Sequence, residues 1–129
     1  MPNENMPSVD GVKLTVLVED SVAKPSLAAK HGLSFLIETA SAASKSRILM
    51  DAGSPPDVAV HNAHEMKEDI RSLDAMVISH GHYDHTGGLV QVLRNIDRPI
   101  PVIAHRLAFA RRFAYKPNLK FIGQNSVND

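Results

Sequence analysis

The segment AMVISHGHYDHTGGL (75–89) decides how this chain folds, because it changes character twice within a few residues. AMVIS is a short apolar run that reads as a buried strand. HGHYDH then sets His80, His82, Asp84 and His85 in the order His-x-His-x-Asp-His. From TGGL onward Leu89, Val92, Leu93 and Ile96 recur at helical spacing and stop before Pro99, which predicts a helix. A strand, a polar loop and a helix in that order form an α/β unit, and such units gather ligands where strands leave the sheet.

Working outward, KLTVLVE (13–19), LSFLIET (33–39) and RILMD (47–51) also read as strands, each rich in Val, Ile, Leu or Phe and followed by turn residues. TASAASKS (39–46) is small and polar, as a hairpin loop requires. EDSVAKPSLAAKHG (19–32) is a longer connection with no clear period. Ala59, Ala63, Met66 and Ile70 share one helical face, with Pro55 and Pro56 suited to that helix's start. Downstream, IPVIAH (100–105) and LKFIG (119–123) predict short strands, and RLAFARRFA (106–114) a further helix. Strands first, then strand and helix alternating, predict an α+β or mixed architecture: one mixed sheet with helices packed on it. Residues 1–129 form one domain on this reading, with 1–12 and 124–129 as flexible ends.

Composition narrows the function classes. A chain of 129 residues can bury roughly two thirds of its unfolded surface in one core. Lys plus Arg and Asp plus Glu both number 14, without a run of like charge, so no nucleic-acid partner is indicated. No apolar run approaches the ~20 residues of a membrane span, and the amino terminus has no signal-peptide pattern. Cysteine is absent, which removes disulfides and thiolate chemistry and favours a cytoplasmic setting.

Any metal site must therefore be built from imidazole and carboxylate, a set suited to zinc, manganese or iron. His80, His82, Asp84 and His85 are the candidates. Such donors bind zinc at about 2.0–2.2 Å, and their crowding is offset only by a cation. Gly81 removes a side chain from between two of them. His61 and His64, one helical turn apart beside Glu65 and Glu68, also have a chelating spacing, but a solvated helix face explains them better. Arg106, Arg111 and Arg112 suit an anionic substrate group, or simply a charged helix surface. No nucleophile elbow and no Walker-type loop occurs.

SHGHYDHTGGL (79–89) resembles the metal-binding signature of the metallo-β-lactamase superfamily, and ILMDAG (48–53) resembles that superfamily's strand ending in an Asp-x-Gly turn. With HGLSFLIE (31–38), the match narrows to the branch that includes the dihydropterin ribofuranosylaminobenzene phosphate synthases. The resemblance runs from about Leu14 to about Gly123. It implies a metallo-β-lactamase-like αββα sandwich of which this chain supplies only the N-terminal αβ half.

The resemblance also implies roles. His80 and His82 would serve a first metal position, Asp84 and His85 a second, with up to two divalent ions in the complete fold. Asp51 would stand behind them and fix a ligand imidazole. Asp84 would also orient the attacking water, and Tyr83 and His105 would border the pocket. The relatives' later ligands have no counterpart after His85. The implied activity is that of a metal-dependent hydrolase or transferase using metal-activated hydroxide on a small anionic substrate, pterin- or phosphate-containing. The alternatives are a phosphodiesterase, nuclease or thioesterase on the same scaffold, or a catalytically silent truncated module. Half a sandwich leaves one sheet face bare, which implies self-association or a missing C-terminal half.

Overall fold

The computed structural model describes residues 7–115 and 118–123. Five strands form one sheet in the order β1 (Gly11–Val18), β2 (Ser34–Ala40), β3 (Lys45–Met50), β4 (Ala75–Ile78) and β5 (Val102–Ala104). The first three pair antiparallel, while β3, β4 and β5 run parallel. Parallel neighbours require crossovers. These are made by α1 (Val58–Glu65) between β3 and β4, and by α3 (Leu89–Arg94) between β4 and β5, with the short α2 (Tyr83–Thr86) ahead of α3. A separate hairpin joins β6 (Phe113–Tyr115) to β7 (Leu119–Phe121). The mixed sheet expected from the sequence is present, and the small polar loop 41–44 turns β2 into β3 through the Ser41 N–H to Ser44 carbonyl bond.

The two faces of the sheet differ sharply. Leu17, Leu36, Leu49, Met76 and Ile78 are buried beneath Ala59 and Ala63 of α1 and Leu89 and Val92 of α3, and this is the core. On the opposite face, register lines up Val16, Phe35, Met50, Val77 and Ile103, with Leu14, Ile37 and Ile48 beside them. Leu14 is 64% exposed and Ile103 58%. β1 carries Val12, Leu14 and Val16 on this face while Leu17 is buried on the other, so its second half has the composition of a strand buried on both sides. Among the described residues no helix is long and apolar enough to cross a membrane.

Four expectations need correction. Residues 11 and 12, expected to be flexible, begin β1, and Asp10 N–H bonds Ala40 O; residues 1–6 and 124–129 lie outside the described residues. The helix predicted over 106–114 does not form. Ala108 N and Ala110 N make only isolated turns, to His105 O and Leu107 O, and Phe113 pairs with Phe121 at a ring separation of 5.5 Å. Strand pairing and the burial of Ala108 outweigh a weak local period. Glu68, expected on a solvated face, instead bonds Lys13 Nζ at 3.1 Å and Arg47 at 3.2 Å.

The fourth correction concerns the first helix, which stops at Glu65 and leaves Ile70 to reach the core from a 3-10 turn, Ile70–Ser72. Glu68 N bonds Ala63 O and Lys67 N bonds His64 O, the paired bonds of a Schellman ending. That ending needs a left-handed residue, and Lys67 supplies it at φ 59°. Glycine adopts this conformation without the steric cost that lysine bears. Lys67→Gly is therefore expected to raise the unfolding free energy by about 0.5–1 kcal/mol, read from the denaturant midpoint. An unchanged or lowered midpoint contradicts this account of the helix end.

Candidate metal centre

Three parallel strands deliver polar residues to one edge of the sheet: Asp51 follows β3, Ser79 and His80 follow β4, and His105 follows β5. Asp51 is fully buried and lies at φ 59°. Its Oδ1 accepts from the Ser79 N–H at 2.8 Å. Its Oδ2 accepts from Ser79 Oγ at 2.6 Å and from His85 Nδ1 at 2.7 Å. A carboxylate only accepts, so His85 must carry its proton on Nδ1. Ser79 gives its hydroxyl proton to Asp51 and so accepts from His80 Nδ1, 2.9 Å away. Both imidazoles are thereby held with their Nε2 lone pairs free, the arrangement that outer carboxylates impose on metal-binding histidines.

The rings are gathered closely. His80 stands 4.7 Å from His82, edge to face, and 4.1 Å from His85, centroid to centroid. Burial pushes the His80 pKa below the ordinary imidazole value, and the neighbouring His85 and His82 push it the same way, outweighing Asp51 and Asp84. His80 is thus neutral at physiological pH, with a lone pair to offer. Asp84 is buried in the first turn of α2, its Oδ2 3.7 Å from His85 Nε2. Among the described residues no three His, Asp or Glu side chains already converge around one point at ligand spacing. In donor type and tautomer these residues fit a divalent cation of the zinc, manganese or iron kind.

Gly81 makes the loop possible. A Cβ there would stand 1.7 Å from Ala108 O and 2.9 Å from Arg112 Nε, so the turn after β5 is pressed against the backbone between His80 and His82. Arg112 also donates to Leu107 O at 2.7 Å. His105 Nδ1 accepts from Leu107 N at 3.2 Å, which closes the same turn. Tyr83 ties the motif to the hairpin through its N–H to Ile122 O. His61 reaches back to Ser26 O at 3.1 Å, and His64 lies exposed beside Glu65. A cavity of about 390 Å³ lies elsewhere, beneath the 19–32 connection, lined by Val16, Leu17, Leu27, Phe35 and Met66 among others.

Two contributors escaped the sequence reading. Ser79 links Asp51 to His80, and a hydroxyl directly before the first histidine was the available signal. His31 has its Nε2 3.3 Å from Asp84 Oδ2, and as an isolated histidine it offered no spacing to notice.

The chain is similar in sequence and fold to several known proteins. The model of the family described as the metallo-beta-lactamase superfamily matches residues 28–126. The chain is 37% identical over 120 residues to the 7,8-dihydropterin-6-methyl-4-(beta-D-ribofuranosyl)-aminobenzene-5'-phosphate synthase of Methanocaldococcus jannaschii, covering 92% of this chain and 41% of that protein. It is 30% identical over 64 residues to the probable metallo-hydrolase YflN of Bacillus subtilis, covering 48% of this chain and 24% of that one. Among solved structures, the metallo-beta-lactamase fold protein YhfI of Bacillus subtilis superposes with a TM-score of 0.50 at 21% identity, over 73% of this chain and 38% of its own. The chain therefore spans less than half the length of the curated relatives it matches.

Proposed function

Because this chain belongs to the metallo-beta-lactamase superfamily, we propose that it is the ligand-bearing αβ half of a metal-dependent hydrolase or transferase acting on a small anionic substrate. The observation that carries this reading is the buried Asp51 carboxylate, which holds His85 directly and His80 through Ser79 with both Nε2 atoms free. His80 and His82 would hold a first cation, zinc by preference and manganese or iron otherwise, and Asp84 and His85 would take part in a second position. A divalent cation in such a site supplies Lewis acidity and lowers the pKa of water toward 7. With a cation bound, Asp84 would orient the water and take up its proton, and Tyr83 and Arg112 would border the substrate side. The pterin and phosphate groups in the name of the archaeal relative make a phosphorylated pterin the first substrate to try. The enzyme works in the cytoplasm, which cell fractionation checks.

The same reading gives the exposed sheet face a partner. Val16, Leu14 and Ile103 belong to an apolar surface that a second αβ half covers, supplied by further polypeptide or by another copy of this chain. One experiment tests activity and partner together. Zinc- or manganese-loaded protein is separated by size with light scattering, and each fraction is assayed with phosphorylated pterins, phosphodiesters and thioesters. Metal-dependent turnover is expected in the species containing a second half. Turnover confined to a single-copy 129-residue monomer contradicts the partner, and turnover insensitive to chelation contradicts the metal mechanism.

A further inference from the structure

The connection 19–32 brings an imidazole to the motif from outside it. His31 Nε2 lies 3.3 Å from Asp84 Oδ2, and its Nδ1 lies 3.3 Å from Asp20 Oδ1, so the ring is bracketed by two carboxylates. The backbone around it is fixed rather than draped. Leu33 N–H bonds Asp84 O at 3.2 Å, and Gly53 N–H bonds Leu33 O at 2.9 Å. Gly32 lies at φ +140°, and a Cβ there would stand 2.2 Å from Asp84 O, so the chain passes Asp84 at a distance only glycine permits.

On the other side, the buried Asn62 pins the connection to the core. Its Nδ2 donates to Leu17 O at 2.7 Å and Ala28 O at 2.9 Å, and its Oδ1 accepts from Ala28 N at 2.8 Å. The ring itself remains 74% exposed, so its place is set by its backbone rather than by packing.

We propose that His31 is a positioning residue for Asp84: its Nε2 side, in contact with Oδ2, fixes the carboxylate's rotamer so that Oδ2 stays turned toward His85. The inference rests on the reading of Asp84 as a metal donor and adds to it a group on a different element. A carboxylate ligand left without such a partner loses rotational order, and removal of partners of this kind typically costs 10–100-fold in metal affinity. Asp84 sits in a helix of four residues, which restrains it little by itself.

Zinc affinity is to be measured by competition with a chromophoric chelator for the unaltered chain, His31→Ala and His31→Gln, with thermal unfolding of each metal-free protein in parallel. The expected result is a roughly 10–100-fold weaker affinity in His31→Ala at unchanged stoichiometry and melting temperature. His31→Gln, whose amide nitrogen stands close to the position of imidazole Nε2, restores most of the loss. Equal affinity in His31→Ala and the unaltered chain overturns the proposal. So does equal loss in both variants with one fewer nitrogen donor by X-ray absorption, which makes His31 a ligand itself. Failure of the unaltered chain to bind zinc overturns the metal reading first and this inference with it.

Discussion

Asp51→Ala is expected to lower the unfolding free energy by about 3 kcal/mol or more, read from chemical denaturation. The side chain is fully buried and receives three donors: Ser79 N, Ser79 Oγ and His85 Nδ1. Removing the acceptor leaves these groups unpaired, at about 1–3 kcal/mol for each that stays dry. Ser79 is exposed and His85 half-buried, so water relieves part of that cost. A second contribution comes from the backbone. Asp51 lies at φ 59°, a conformation aspartate tolerates and alanine does not, worth roughly 1–2 kcal/mol. Asp51→Asn separates the two effects, since asparagine keeps the left-handed backbone and one acceptor but turns an NH2 toward a donor. Asn is therefore expected to fall between Ala and the unaltered protein. A loss under about 1 kcal/mol for alanine contradicts the role of Asp51 as the hub of the site.

His82→Ala is expected to weaken zinc binding by more than 100-fold, beyond the 10–100-fold range of partners that act through a ligand. The reason lies in what His82 does for the fold, which is little. Its carbonyl accepts from His85 N, Thr86 N and Thr86 Oγ1, and a substitution leaves these bonds in place. Its ring is half-buried and meets His80 only edge to face. Stability should thus move by less than about 1 kcal/mol while affinity collapses, a split that calorimetric zinc titration and denaturation resolve together. Loss of both in parallel would make His82 a structural residue.

The same opposition between local signal and tertiary demand explains what could be read from the sequence. Strands β1 to β4 were legible because each is a short apolar run closed by turn residues, and the candidate site was legible because four possible donors crowd into the short segment after β4, two in the loop and two in α2. The end of α1 was not: a lysine at φ 59° carries no glycine signal, so the helical period of Ala59, Ala63 and Met66 reads on without a break to Ile70. The 106–110 turns were not either, since their shape is set by Gly81 and by pairing with residues near 121 rather than by their own Leu and Ala spacing. Alternation could not reveal which face of β1 lies against helices, because Leu14 and Val16 are as apolar as Leu17. His31 lay beyond reach for a different reason. Its meeting with Asp84 depends on how the 19–32 connection returns to β2, and nothing in its own neighbourhood encodes a partner so far along the chain.

The central claim is that the Nε2 atoms of His80 and His85 are the ones offered to a divalent ion, with the His82 ring beside them as a further donor. Nitrogen-15 NMR of the histidines during zinc titration tests it most directly. The account predicts that the Nε2 resonances of His80 and His85 and one ring nitrogen of His82 shift to metal-bound positions, while His85 Nδ1 keeps its proton toward Asp51. Unmoved Nε2 signals for His80 and His85, or shifts confined to His61 and His64, would contradict it.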